Sequence, residues 1–356
     1  MSLFKDVLDH TKSLFVDEHA LNYEFLPAVL PFRENEQQYL ATCIKPLFHD
    51  RTGRNLLIHG PPGTGKTAAA RFVLRDLEEQ TDRIHAIFVS CWKFNTTFKI
   101  LAEICNQIGY AFTHNKKTDE LMRIVAHNLN KSRSVIVFDE VDKAEDTDFL
   151  YFLLEEIERK VIFCITNFTE WLIELDERVK SRLLAELVEF PSYSQKEMHG
   201  ILFERLKYAF RDGAWSEASL ALVSARAAQE KDIRVGLYLL RESGMIAEES
   251  FADSVAEQHI QKAIKKLDEF TIKSPKQLDA EAKLVLELCR LHAGKKIGEV
   301  FAEYQHSGGK GVYKTFQRKV RYLSENKYIS TERITGGSEG TTTIIRLPHK
   351  NLSDYL

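Results

Sequence analysis

Short apolar runs alternate with amphipathic stretches of helical period along the first 190 residues. Asn55–His59 is too short for a helix and suits a buried strand. In Ala68–Leu77, Ala70, Val73, Leu74 and Leu77 recur at helical spacing. Ile84–Val89, Ser134–Glu140 and Lys160–Asn167 are further apolar runs rich in β-branched residues, as expected of strands buried on both faces. Strands separated by helices predict an α/β fold with a parallel sheet. Helical patterns then dominate from Lys196–Phe210 to Val235–Leu240, predicting a helical domain after the sheet.

The last third has another pattern. After Ser274 and Pro275, which suggest a joint, helices are predicted over Leu278–His292, Lys296–Tyr304 and Val312–Glu325. The β-rich runs Tyr328–Ile334 and Thr341–Leu347 flank the glycine-rich stretch 335–340, which reads as a hairpin. Three helices and a hairpin are the layout of a winged helix. At about 100° per residue, Val312, Phe316, Val320 and Leu323 share one face of the third helix, and Lys314, Arg318 and Arg321 lie roughly opposite. That amphipathicity suits a helix docked by its apolar side, with a basic stripe available to a DNA major groove. Arg333 and Arg346 fall near the hairpin stem, beside the expected minor groove.

Chemistry enters between the first strand and its helix. GPPGTGKT, residues 60–67, fits G-x-x-x-x-G-K-[ST] in a strand-to-helix turn. Glycines there let backbone N–H groups point inward, and the following helix N-terminus favours anions. Pro62, Gly63, Thr64, Gly65, Lys66, Thr67 and Ala68 are therefore the predicted nucleotide contacts, with Lys66 on the β- and γ-phosphates and Thr67 on Mg²⁺.

Hydrolysis needs more groups. The run 134–140 ends in two carboxylates at a strand end, where ligands of parallel sheets sit. Asp139 can hold Mg²⁺ there, and Glu140 can orient the attacking water. Asn167 closes the 160–167 run and projects toward the same edge. Arg178, Lys180 and Arg182 crowd one helix start, where a guanidinium can act on a neighbouring subunit's nucleotide. Arg234 stands at the start of a later helix, within reach of the nucleotide from another subdomain.

Composition narrows the class. A length of 356 residues suggests two or three domains, and 44% hydrophobic with 28% charged residues fits a soluble globular chain. No apolar run reaches the ~18 residues of a membrane span, and the N-terminus lacks a signal-peptide pattern. Cys43, Cys91, Cys105, Cys164 and Cys289 are scattered without a CxxC pair, as expected of a reducing cytoplasm with neither disulfides nor a bound metal cluster. Residues 275–356 hold about 14 Lys/Arg against about 9 Asp/Glu, a basic tail on an acidic body.

Taken in order, these motifs resemble an AAA+ ATPase. GPPGTGKT corresponds to Walker A, VIVFDE to Walker B, Asn167 to sensor 1, Arg182 (or Arg178) to the arginine finger and Arg234 to sensor 2. The stretch Tyr23–Glu36, with Phe190–Ser194 and the helix after it, is similar to the archaeal origin-recognition/cell-division-control replication initiators. That resemblance implies nucleotide contacts at Tyr193 and Arg205, and packing of the 23–36 stretch near adenine. It also implies a DNA-contacting element around Ser90–Lys99, where Trp92, Phe94 and Phe98 interleave with Lys93 and Lys99. The lid sequence 229–236 departs from the family in lacking its Gly-Asp opening and second basic residue.

The resemblance therefore implies an AAA+ core of RecA-like αβα type with an N-terminal extension over residues 1–190, a helical lid over 191–272 and a winged helix over 273–356. It implies ATP or ADP with Mg²⁺ as cofactors and slow hydrolysis used as a switch. The partners would be double-stranded origin DNA, a replicative helicase and paralogous initiators, in an archaeal cytoplasm at the nucleoid and with no membrane. Three rivals share parts of the pattern. A clamp-loader subunit would carry a helical collar instead of the winged helix. A protein-remodelling AAA+ ATPase would need a pore loop. An ATP-binding transcriptional regulator would use its nucleotide structurally.

Overall fold

Every residue of Ser134–Asp139 is buried, and alternate side chains enter opposite cores. Val135 and Val137 pack with Leu40, Val73 and Leu74, whereas Ile136 and Phe138 pack with Ile104, Val125 and Phe149. A strand whose two faces are both apolar has to be covered by helices on both sides. The computed structural model describes residues 13–270, 280–309, 311–325, 328–334 and 342–346. The chain divides into two compact units, Met1–Ala263 and Ile264–Leu356.

In the first unit five parallel strands lie in the order β2-β3-β4-β1-β5: β1 Leu56–His59, β2 Ile84–Ser90, β3 Arg133–Asp139, β4 Lys160–Thr166 and β5 Glu186–Glu189. One face is covered by α1 (Glu34–Ile44) and α2 (Lys66–Gln80). The other is covered by α3 (Thr97–Gln107), α4 (Thr118–Leu129) and α5 (Asp148–Glu156). Two short helices, α6 (Glu170–Glu174) and α7 (Glu177–Leu183), lead into β5. β1 pairs with β4 and β5, and β4 also pairs with β3, so the C-terminal ends of β1, β4 and β3 stand side by side. In a parallel sheet that edge is where ligands bind.

The lid follows as α8 (Gln195–Ala209), α9 (Glu217–Glu230), α10 (Ile233–Glu249) and α11 (Glu257–Phe270). Its helix starts are capped by local side chains: Ser194 and Glu197 form a capping box on α8, Ser216 caps α9 and Asp232 caps α10. Residues 13–25 pack on these helices. Phe15 bridges to Phe210, Val16 N–H donates to the Ala209 carbonyl at 2.8 Å, and Arg241 donates to Glu18 at 2.6 Å. Arg205 fastens the same segment, donating to the carbonyls of Ala20 (3.1 Å) and Phe25 (3.0 Å).

The second unit holds α12 (Ala280–Leu291), α13 (Ile297–His306) and α14 (Tyr313–Glu325), with β6 (Ser330–Ile334) antiparallel to β7 (Thr342–Arg346). These are the three helices and hairpin expected from the sequence; the glycine-rich stretch 335–340 and the Ser274-Pro275 joint lie outside the described residues. Phe316, Val320 and Leu323 are buried against Val285, Cys289 and Val300. Val312 is the exception to the predicted apolar face. It precedes α14 and is 69% exposed, its carbonyl accepting from the N–H groups of Thr315 and Phe316. At a helix cap the side chain no longer follows the helical wheel.

Candidate functional site

The 60–67 loop leaves β1 and enters α2 through Gly65, which has φ +87° and serves as the helix N-cap. Gly63 is also left-handed, with φ +72°. Neither position has room for a side chain: a Cβ on Gly63 would stand 2.0 Å from Asp232 Oδ1, and one on Gly65 would stand 2.4 Å from the Tyr193 hydroxyl. The loop needs glycine for its conformation and for the groups packed on it.

Two residues from the neighbouring strands reach the loop. Lys66 Nζ donates to Asn167 Oδ1 at 2.8 Å, and to the carbonyls of Gly60 at 2.7 Å and Pro61 at 2.8 Å. Burial pulls the Lys66 ammonium down to about 8, against the opposing pull of Asp139. Thr67 Oγ1 donates to the Asp139 carboxylate, 3.1 and 3.0 Å from its two oxygens. Burial raises the Asp139 carboxyl, and the Thr67 bond offsets part of that rise. A hydroxyl and a carboxylate form a hard oxygen pair suited to Mg²⁺. Among the described residues no cluster of three or more His, Cys, Asp or Glu could hold a metal.

Glu140 follows in the left-handed region, with φ 51° and ψ 48°. A non-glycine residue in that region carries strain, and strain of this kind gathers at functional sites. The turn lifts Glu140 off the end of β3, and its own N–H donates to Asp139 Oδ1 at 3.1 Å. Asp142, on the next turn, accepts from Thr166 Oγ1 at 2.9 Å.

From the lid, Arg234 approaches as a fork. Its Nε lies 3.0 Å from both oxygens of Asp232, and Nη2 lies 2.6 Å from Oδ2. That hydrogen bond raises the Arg234 pKa above its ordinary value. Arg33 lies over the Tyr193 ring, its guanidinium carbon 4.0 Å from the centroid, and burial pushes the phenol up to about 12. Arg33 is not among the expected site residues, yet it is only 3% exposed and donates to carbonyls on both sides of the site, Thr64 at 3.0 Å and Pro191 at 2.6 Å. Its sequence signal was slight, a single arginine ahead of an acidic helix start.

Three other expected residues of the first unit have partners of their own. Arg182 pairs with Glu155 and lies over the Tyr151 ring at 5.1 Å, and Arg178 pairs with Asp176 at 3.1 Å. Arg205 spends its donors on the segment near Phe25. In the second unit Lys314, Arg318 and Arg321 are exposed along α14. Arg346 is tied to Glu332 on the paired strand, at 2.7 Å through Nε and 2.6 Å through Nη2. Arg333 lies in β6 opposite Thr343. Trp92 is 66% exposed beside Lys143, whereas Phe94 packs on the core with Lys93 over its ring at 5.2 Å. No helix among the described residues is long and apolar enough to cross a membrane.

Known proteins resemble this chain over most of its length. Residues 49–172 match an AAA domain family, and residues 199–265 match the Cdc6 AAA+ ATPase-type lid domain. The ORC1-type DNA replication protein 1 of Archaeoglobus fulgidus is 31% identical over 344 residues, covering 91% of this chain and 84% of the relative. The ORC1-type DNA replication protein of Thermococcus kodakarensis is 30% identical over 392 residues, covering 100% and 92%. Among solved structures, the Aeropyrum pernix ORC1 protein in complex with DNA superposes with a TM-score of 0.68 at 26% identity, covering 96% of both chains. With an AAA domain, a Cdc6-type lid and relatives of one kind matching most of its length, the chain belongs to the ORC1-type DNA replication protein family.

Proposed function

We propose that this chain is an ATP-dependent replication initiator that binds double-stranded origin DNA through its C-terminal unit and its AAA+ domain and helps recruit a replicative helicase. The observation that carries the reading is the meeting of Lys66, Asn167, Thr67 and Asp139 at the ends of three adjacent strands, with Arg234 brought to the same loop by the lid. Its support on the DNA side is the likeness to an ORC1 protein solved on DNA and the exposed basic residues of α14.

The loop N–H groups and Lys66 bind the phosphates of ATP or ADP. Thr67 and Asp139 would hold Mg²⁺, which would supply charge neutralisation on those phosphates. Glu140 orients a water, and Asn167 fixes Lys66 and the reacting end of the nucleotide. Arg234 pairs with the γ-phosphate from within the chain. Arg182, with Arg178 as the alternative, completes the site of a neighbouring paralogous initiator, so a lone subunit turns over slowly and keeps ADP. Tyr193 sits at the base side of the cradle, and Arg205 holds the 13–25 segment that flanks it.

Lys314, Arg318 and Arg321 contact phosphates and base edges of the major groove, and Arg333 and Arg346 lie at the hairpin stem beside the minor groove. The domain division of 1–190, 191–272 and 273–356 assigns these roles to core, lid and winged helix. The protein would work in the cytoplasm, at the nucleoid.

Fluorescence anisotropy with origin-derived and random duplexes, with ATP and with ADP, tests the reading. Tighter binding to origin duplex that depends on the nucleotide is expected, and it should be lost in the triple variant Lys314→Ala, Arg318→Ala, Arg321→Ala. Equal binding of the triple variant and the parent would overturn the DNA assignment.

A further inference from the structure

Asp232 does more than cap a helix. Its Oδ1 accepts the Arg234 N–H at 2.9 Å, which is the ordinary cap of α10. Both carboxylate oxygens also accept from the Arg234 guanidinium, at 3.0, 3.0 and 2.6 Å. The same carboxylate lies directly on the phosphate-type loop, where a Cβ on Gly63 would stand 2.0 Å from Oδ1 and 2.5 Å from Cγ. A cap needs one oxygen and requires neither the guanidinium nor the loop. An anion therefore already faces the loop and is already gripped by the lid arginine.

A guanidinium recognises a carboxylate and a phosphate through the same planar fork. We propose that Asp232 is a positioning residue that sets the preference between ATP and ADP, by competing with the γ-phosphate for Arg234. ADP has no third phosphate, so the Asp232–Arg234 pair stays closed when it binds. ATP has to draw Arg234 away from Asp232 before the lid arginine can report the γ-phosphate. Loss of that phosphate lets the guanidinium return to Asp232, which makes the lid contact reversible within one chain. This rests on reading residues 60–67 as the nucleotide cradle and adds to it a named residue that tunes the discrimination.

Isothermal titration calorimetry of the full chain with ATP and with ADP tests the proposal, using the parent, Asp232→Asn, Asp232→Ser, Arg234→Ala and Asp232→Asn with Arg234→Ala. Asparagine and serine both cap helices and carry no charge. Removing the carboxylate from beside the loop should tighten both nucleotides, so the readout is the ratio of their dissociation constants. Both Asp232 variants should shift that ratio toward ATP by about threefold to tenfold, the range of a partly exposed charged pair. In the Arg234→Ala background the Asp232→Asn change should leave the ratio unmoved. An unchanged ratio in both Asp232 variants, with both nucleotides still bound, overturns the proposal and leaves the nucleotide reading intact. A cap that was merely structural would change both affinities in step and give that result. Failure of the parent chain to bind either nucleotide would overturn the proposal and the nucleotide reading together.

Discussion

Arg33 donates through Nε to the Thr64 carbonyl at 3.0 Å and through Nη2 to the Pro191 carbonyl at 2.6 Å, so one buried guanidinium ties the phosphate-type loop to the entrance of the lid. Phe32, its neighbour, adopts φ 64° and lays its ring against Gly200 of α8, where a Cβ would come within 2.6 Å. Core loop and lid helix thus meet through two consecutive residues.

Arg33→Ala should lower stability by about 3 kcal/mol, because charged hydrogen bonds are lost and buried carbonyls are left unpaired. Arg33→Lys should recover only part of that, since an ammonium cannot span both carbonyls and stack on Tyr193 as a planar fork does. Urea unfolding of the three proteins gives the order. Nucleotide affinity should weaken by about tenfold in the alanine variant, equivalent to about 1.4 kcal/mol.

Glu140→Gln should retain ATP binding and lower hydrolysis by about a hundredfold or more, the range of a lost general base. Glu140→Gly should be equally inactive, yet unfold at a temperature no lower than the parent, because glycine relieves a left-handed backbone that costs about 1 kcal/mol. Single-turnover ATPase assays and thermal denaturation separate the two effects.

The paired state of Arg346 predicts an inequality among the basic residues. Arg346→Ala should leave the salt dependence of duplex binding nearly unchanged, because Glu332 already neutralises it. Glu332→Ala should free the guanidinium and steepen the slope of log K against log salt by about 0.9 for one added phosphate contact. Anisotropy titrations at several salt concentrations measure both.

His259 offers a pH test in the lid. Its buried ring accepts the Ala256 N–H on Nδ1 at 3.1 Å, leaving Nε2 toward Ser250 at 3.2 Å, and burial lowers its pKa. The folded chain therefore favours the neutral ring, while the unfolded chain takes up a proton near pH 6.5. Stability should be fully present above about pH 6.5 and fall as the pH drops toward the lowered folded value. His259→Gln should flatten that dependence between pH 7 and 5 in thermal melts.

The site was legible where its signal was local. A glycine-rich turn between strand and helix, or carboxylates closing an apolar run, can be read within ten residues, and Lys66, Thr67, Asp139 and Asn167 do converge. Arg33 and Asp232 owe their places to partners 31 and 169 positions away (Thr64 and Gly63), and nothing nearby in the chain announces such a meeting. β5 leaves little mark in the sequence because Glu186-Leu187-Val188-Glu189 is an edge strand with only Val188 buried, so it lacks the continuous apolar run of its neighbours. Val312 departs from the expected apolar face because periodicity carries no mark of where a helix begins.

The grip of α8 and α10 on residues 13–25 has a practical corollary. Since Ser13 and Leu14 both donate to Glu248 at 2.6 Å, a dye attached near the start of this segment would travel with the lid. Energy transfer from that label to one on β2 would then compare the lid position with and without nucleotide, with no fluorophore placed in the cradle itself.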